Sequence, residues 1–453
     1  MSSQKKYLTL GNKIGYGSGE MAGNLLNGLV NNFYMLYLTD TVGLNVGIVG
    51  TLMALSKLLD GVSDVLFGTL IDKTHSRMGK ARPWMLYSQI GVSLCLALLF
   101  SIPAGFTEWA KYAWFFVFYL SVNAIFYTAN NVSYSTLMVL ITKNGDERVQ
   151  LGVFRFAFVM ITQLIVSTTG LQLSRIFGWS VVAIIFAVLG LVINTISVFS
   201  VRELPEEELL EGDTTDSEAK KSELTLWKSI GLLIKNPFYI IMLLMNICTY
   251  LVMGAMGSAV YFFKDVMGNE DLYSVFMIAM MAPMLIGLAL TPMVVKKFGM
   301  YKTNFVGFLM ATVFRALLII AGLMGNFPLM LVSIALSNIC AAPLTADGNA
   351  LVGAISDYTY KKERIRIDGS MYSCTSMGIK VGNALGTAML GWLLQAGHYD
   401  GTLAVQPDSA LAMISFVFLW VPFILYFIVT VLNYFLKVEK ANKELDALNG
   451  VEA

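Results

Sequence analysis

The chain has 453 residues, 56% of them apolar and 13% charged, with a net charge of +1, where a soluble globular chain carries about 25% charged residues. So little charge at this length leaves too little polar material for a water-facing surface, which argues against a cytosolic enzyme, a disordered protein and a nucleic-acid binder. A membrane helix needs roughly 20 apolar residues, so twelve helices with their ends take about 300 residues and leave about 150 for loops and tails; the expected fold is an all-α polytopic membrane protein.

Twelve apolar runs follow one another, at 12–39, 45–72, 83–103, 112–142, 150–177, 179–201, 237–264, 271–295, 304–325, 328–358, 369–397 and 409–437. Short polar loops separate neighbours, which makes them antiparallel. The first run follows a short polar lead and contains Glu20, unlike the core of a cleavable signal peptide. It reads GYGSGEMAGNLLNG. Its glycines allow close helix packing; Gly15, Gly17 and Gly19 follow no strand and so make no nucleotide fingerprint. Asn24 lies one turn after Glu20, and both can face one cavity.

The second run carries the densest charge, SKLLDGVSDVLFG. Asp60 and Asp64 are four apart and share one helix face, and Lys57 falls on the same stripe. Two carboxylates and one ammonium leave a net −1, which Na⁺ or H⁺ would neutralise. Hard cations take oxygen ligands, and paired carboxylates can also hold a proton because like charges raise one pKa. The plainer reading is a salt bridge that locks this helix to a neighbour. Burying a second carboxylate costs roughly 2.5–3.5 kcal/mol on insertion scales, which favours the cation site.

The fourth run, NAIFYTANNVSYSTL, is unusually polar, with Thr128, Asn130, Asn131, Ser133, Tyr134, Ser135 and Thr136. Interhelical hydrogen bonding accounts for part of this set. Lining a cavity for a polyhydroxylated substrate accounts for the concentration of hydroxyls and amides. Arg155 in the fifth run and Lys380 in the eleventh are candidates for the same cavity, against the alternative that they balance nearby acids. Arg315, Asp347 and Asp357 are further ionisable residues inside runs.

Stretch 202–236 is the longest polar segment, acidic from Glu203 to Glu218, and reads as a flexible linker between two halves of six runs. Lys73, Arg77, Lys80 and Arg82 follow the second run, Lys296, Lys297 and Lys302 the eighth, and Lys361, Lys362, Arg364 and Arg366 the tenth. That bias places the even loops and both termini in the cytoplasm. Glu147-Arg148 and Glu363-Arg364 are offset by 216 residues, as are Asn131 and Asp347; both points fit two parallel six-helix repeats. Cys95, Cys248, Cys340 and Cys374 sit in apolar runs without CxxC spacing. No Ser-His-Asp set, HExxH or Walker A pattern occurs, so hydrolysis and ATP-driven pumping have no support.

Together these residues resemble the glycoside–pentoside–hexuronide:cation symporters of the major facilitator superfamily, over nearly the whole chain. The most specific piece is DGVSDVLFGTLIDKTHSRMGKARPW, supported by YGSGEMAGN, DERVQLGVFRF and SDY followed by Lys380. The resemblance implies the major facilitator fold, with twelve transmembrane helices in two pseudo-symmetric six-helix bundles. The bundles are expected at 1–201 and 237–437, with a cytoplasmic linker at 202–236 and a cytoplasmic tail at 438–453.

By similarity to the melibiose permeases of that family, Asp60, Asp64 and Thr128 fall on cation-site positions. Lys57 falls on a charged position beside them, Arg155 on a sugar-binding arginine and Lys380 on a lysine close to both sites. Asn24 and Asn131 stand where those permeases use two aspartates on galactosyl hydroxyls, and Ser135 replaces an aromatic that stacks on the sugar ring. The cation site is thus expected intact and galactoside specificity altered, with a hexuronide, a pentoside or a neutral glycoside all open. Glu20, Lys57 and Asp357 are candidates for coupling or gating.

The resulting expectation is a secondary transporter that moves a sugar, glycoside or hexuronide with Na⁺ or H⁺ by alternating access. It needs no cofactor and no nucleic acid, and works as a monomer among the lipids of a bacterial inner membrane. One rival is a lysophospholipid or other amphiphile symporter, which needs a wide apolar cavity. The other is a membrane sensor that binds sugar without moving it.

Overall fold

The structure is a computed structural model describing residues 6–205, 226–363, 371 and 373–448. All its regular elements among these residues are helical, and helices occupy each of the twelve expected runs. We number them α1 (Leu10–Leu29, continued by π-helical turns at Val30–Tyr34 and Tyr37–Thr41), α2 (Val46–Asp72), α3 (Arg82–Leu99), α4 (Glu108–Leu140), α5 (Gly145–Phe177) and α6 (Trp179–Ser200). Then come α7 (Pro237–Gly254), α8 (Asp271–Phe298), α9 (Met300–Leu323), α10 (Phe327–Glu363) and α11 (Ser373–Ala396). The last two are α12 (Asp408–Ser415, a π-helical turn at Phe416–Trp420, then Val421–Phe435) and α13 (Val438–Leu448).

Local chemistry sets the helix ends. Thr9 accepts the Asn12 amide at the start of α1, Asn45 accepts Gly47 and Ile48 at α2, and Asn236 caps α7 ahead of Pro237. Each supplies an acceptor to amides that have no partner inside the helix. Gly299, at φ +82°, turns the chain directly from α8 into α9.

Among the described residues, eight helices are long and apolar enough to cross a membrane on length and composition alone. Their burial pattern agrees. In α6 the exposed face is apolar, with Val181, Ile184, Val188, Val192, Ile196 and Phe199, while Ala183, Ala187, Gly190, Asn194 and Ser197 are buried. A wholly apolar outer face, with the small and polar residues inside beside buried Val182, Phe186 and Val198, is the arrangement of a helix solvated by lipid. The chain is an integral membrane protein.

The chain divides into two compact units: Met1–Lys220 with Asp400–Ala404, and Lys221–Tyr399 with Val405–Ala453. Within the first unit α1 packs on α5 and α6, α3 on α4 and α6, and α2 on α4. Within the second, α7 packs on α11 and α12, α9 on α10 and α12, and α8 on α10. Each pair recurs six helices later, which is the pattern of a parallel repeat.

Single residues repeat it too. Glu203, just after α6, accepts the amides of Lys80, Ala81 and Arg82 at 2.7, 2.9 and 3.0 Å, at the start of α3. Glu439, just after α12, accepts the amides of Met300 and Tyr301 at 3.4 and 3.1 Å, at the start of α9. A carboxylate there satisfies free amides and meets the positive end of the helix dipole. The matches read from sequence are less alike in their surroundings: Asn131 is exposed and Asp347 buried, and Arg364 lies outside the described residues.

Two polar stretches are more ordered than their composition implies. A helix at Leu226–Lys235 occupies part of the expected linker, and its Leu233 is buried among Tyr239, Met242 and Met245. The tail at 438–448 is α13, docked by Lys361–Asp446 at 2.7 Å and by Asn442 Nδ2 donating to the Ala354 carbonyl at 2.8 Å. Apolar residues at the right register dock both helices: Leu232 and Leu233 in the first, Val438 in the second.

Candidate cation and sugar site

The N-terminal unit gathers most of the expected site on α1, α2, α4 and α5. Close helix approach makes this possible. A Cβ on Gly17 would meet Phe154 of α5 at 2.9 Å, and Gly15 and Gly19 lie as tightly against Ser200 and Ser197 of α6. These glycines serve packing, as their spacing indicates.

On α1, Glu20, Asn24, Asn27 and Asn31 recur at helical spacing on one face, the first three half-buried and Asn31 exposed. Asn24 Nδ2 donates to the Glu20 carbonyl at 2.8 Å. Asn31 Oδ1 accepts from Lys57 Nζ of α2 at 3.3 Å. One turn along α2, Asp60 accepts a hydrogen bond from the hydroxyl of Thr128, which is buried. The Asp64 side chain is outside the described residues.

The position of Thr128 depends on a feature absent from any apolar pattern. Residues Ser121–Tyr127 of α4 form a π-helical turn, and Thr128 follows it directly. The Thr128 hydroxyl lies 2.8 Å from the Asn123 carbonyl, five residues back, as well as on Asp60. Such turns loosen the backbone ladder and recur at functional sites. The buried Tyr119 side chain lies within electrostatic reach of Asp60 and Asn123. Asn31, Tyr119 and Asn123 were not anticipated from sequence. The Glu20-to-Asn31 stripe was a signal for the first; nothing in the pattern marks the π turn that holds Asn123, or Tyr119 two residues before it.

A second group surrounds Arg155. Its Nη2 lies 3.4 and 3.3 Å from the two Glu20 carboxylate oxygens. Its guanidinium sits 4.5 Å from the centre of the Tyr134 ring. Tyr134 in turn stacks on Tyr16 at 4.6 Å and 7°, and each hydroxyl donates to the other's carbonyl, at 2.7 and 2.8 Å. An aromatic face and a carboxylate hold the planar fork in one orientation, and both contacts to Glu20 come from one nitrogen. Tyr127 lies within electrostatic reach of Glu20, Arg155 and Asp60, so it links the two groups.

The polar run of α4 divides by face. Asn130 is buried and donates to the Met85 carbonyl of α3 at 2.9 Å, beside Asn194 of α6, and Ser133 bonds back to Ala129 at 2.6 Å. These are interhelical and intrahelical fastenings. Asn131 and Ser135 are exposed on a different face of the helix. Lys380 on α11 is half-buried and Asp357 on α10 is exposed, both in the C-terminal unit.

Comparison with known proteins agrees with this architecture. Residues 15–440 match the family described as MFS/sugar transport protein. The isoprimeverose transporter of Lactiplantibacillus pentosus is 28% identical over 96% of this chain and 90% of its own. The putative glycoside/cation symporter YagG of Escherichia coli is also 28% identical, over 92% of this chain and 90% of its own. Among solved structures, the D-xylose-proton symporter superposes with a TM-score of 0.65 at 16% identity, covering 94% of this chain and 96% of that one. A bacterial homologue of the lysosomal transporter Spinster, in an inward-facing and unoccupied conformation, also gives 0.65, at 12% identity over 96% and 97%. A membrane protein whose helix pairs repeat and whose residues 15–440 match a transport family is a transporter and not an enzyme: the chain belongs to the MFS/sugar transport protein family.

Proposed function

We propose that this chain imports a small sugar or glycoside together with Na⁺ or H⁺, as a secondary transporter in a bacterial inner membrane with both termini cytoplasmic. The observation that carries the reading is the Thr128 hydroxyl on Asp60, beside a Lys57 that is turned to Asn31. Asp60 and Thr128 offer oxygens to a hard cation, and Asp64, four residues from Asp60, supplies a second carboxylate. Lys57, Asp60 and Asp64 together leave one negative charge, which a bound cation removes from the bilayer interior. Coupling follows because whatever binds better to the neutralised form also tightens the cation by the same factor.

Arg155 is the group we assign to the sugar, with Asn24, Asn131 and Ser135 as neutral hydrogen-bonding partners. Stacking on Tyr134 and pairing with Glu20 keep the guanidinium charged and oriented without occupying its whole fork. Lys380 and Asp357 are assigned to coupling from the C-terminal unit, and 202–236 to a cytoplasmic connection. The polar character of the α1 stripe favours a hydroxylated cargo over a lysophospholipid. A single chain among lipids is the working unit. The names of the relatives, an isoprimeverose transporter and a glycoside/cation symporter, support a pentose-containing glycoside as the first cargo to test. The experiment is a panel of labelled pentosides, glycosides and hexuronides offered to vesicles under separate Na⁺ and pH gradients. Accumulation of one class under one gradient is expected; no accumulation of any sugar under either would refute the proposal.

A further inference from the structure

The C-terminal unit holds a buried carboxyl that the reading above does not use. Asp347 lies on α10 in the membrane-spanning stretch Phe327–Gly348 and is 8% exposed. Asn304 of α9, 1% exposed, points its Nδ2 at both carboxylate oxygens, at 3.0 and 2.8 Å. The other end of that amide, Asn304 Oδ1, is buried and has no hydrogen-bond partner among the described residues.

Among the described residues, no positive charge pairs with this carboxylate. Asp347 forms no ion pair with a described lysine or arginine, and the charge that acts on it is Glu439 of α13, of its own sign. Arg315, further along α9, is taken up by Asn338 and Tyr426 at 3.4 and 3.5 Å. Lys296 and Lys297 at the end of α8 are exposed, and α7, whose Met242 approaches Gly348, carries no charged residue. On α13, Lys440 pairs with Glu444 and Asp446 with Lys361. An ionised Asp347 therefore leaves a charge and an amide oxygen both unsatisfied in a low-dielectric site.

One proton resolves both. A neutral carboxyl and a primary amide make a reciprocal pair, in which N–H donates to C=O and the acid O–H donates to the amide oxygen. The proton comes from water and forms one O–H bond; the unpaired Asn304 Oδ1 becomes its acceptor. We propose that Asp347 and Asn304 form a proton-binding site in the C-terminal unit, with Asp347 carried as the neutral acid. This site belongs to the other unit from Asp60 and does not depend on the assignment made there.

Infrared spectroscopy of the full-length chain in lipid vesicles reads the proton directly. The difference between wild type and Asp347→Asn should contain a protonated-carboxyl C=O band that grows as pH is lowered from about 9 to about 5. Asp347→Asn keeps a reciprocal amide pair with Asn304 and so should fold. Asn304→Leu should retain the acid band and move it to higher frequency, because the carbonyl loses its N–H donor. Coincident wild-type and Asp347→Asn spectra in this region from about pH 5 to about pH 9 would overturn the proposal. So would a carboxylate band alone that moves with added Na⁺, since the site would then hold a metal cation.

Discussion

Thr128 shows how much rests on one hydroxyl. It touches the Asp60 carboxylate and the Asn123 carbonyl that the π turn exposes. Hydrogen bonds to charged groups are worth about 1.5–3 kcal/mol, and about 1.4 kcal/mol is tenfold in affinity. Thr128→Ala is thus expected to weaken the coupling cation about tenfold or more, while Thr128→Ser stays near native; calorimetric cation titration of both variants checks this. Arg155→Lys keeps the charge but loses the planar fork stacked on Tyr134. Sugar affinity should fall about tenfold or more, with cation binding in the absence of sugar little changed. Near-native sugar affinity in that variant would reduce Arg155 to a counter-charge for Glu20. Asp60 and Lys57 stood out by residue type and spacing and Thr128 by the family resemblance; the structure puts the Thr128 hydroxyl on Asp60 and the Lys57 ammonium on Asn31. That Arg155 pairs with Glu20 was not, because the two are 135 residues apart and only tertiary packing joins α1 to α5.

Glu147 gives a separate handle on stability. It lies at the head of α5, before the spanning stretch that starts at Gln150. Burial alone would raise its pKa, but it is outweighed by hydrogen bonds from the Thr142 hydroxyl and the Leu8 and Tyr7 amides, together with the Lys13 charge, so the carboxyl lies below its ordinary value. A depressed carboxyl stabilises the fold at pH above its unfolded value, about 4.3, and that stability is lost as pH falls through the folded value. Glu147→Gln should cost about 2 kcal/mol at neutral pH and flatten the acid limb of a thermal-melt pH series. An unchanged acid limb would mean that these bonds carry no linkage.

At the scale of helices, apolar runs located the elements well, because roughly 20 consecutive apolar residues have few alternatives to a membrane helix. Runs do not reveal interruptions, since a π turn or a glycine contact leaves hydropathy unchanged. On α11, Gly378, Gly382 and Gly386 form a small-residue stripe against α7, where a Cβ on Gly382 would stand 2.6 Å from the Ile247 carbonyl. That contact is backbone and cannot swing aside, so Gly382→Leu should destabilise the C-terminal unit by about 1–3 kcal/mol, read as a lowered melting temperature in detergent. Gly79 is set differently: φ is +106°, and a Cβ there would collide with the Glu203 carboxylate that caps α3. Polar segments were the least legible elements. Leu226–Lys235 folds as a helix with Leu232 and Leu233 on the core, and Val438–Leu448 with Val438 buried, apolar signals too short to stand out from the polar stretches around them.

For the molecule as a whole, the repeat is clearer in its helix pairs and in Glu203 and Glu439 than in its sequence. Helix caps and pairings survive divergence because geometry requires them, while cavity residues change with the cargo. The N-terminal unit concentrates the assigned cation and sugar groups, and Tyr127 lies within reach of both. Function then turns on whether neutralising Asp60 drives uptake. The direct measurement is labelled-sugar accumulation in vesicles under the coupling gradient, compared with gradient-free sugar exchange, for wild type and Asp60→Asn. Wild type should accumulate and exchange, whereas Asp60→Asn should lose accumulation and keep exchange. Accumulation by Asp60→Asn at the wild-type level would contradict the assignment of the coupling cation to this site.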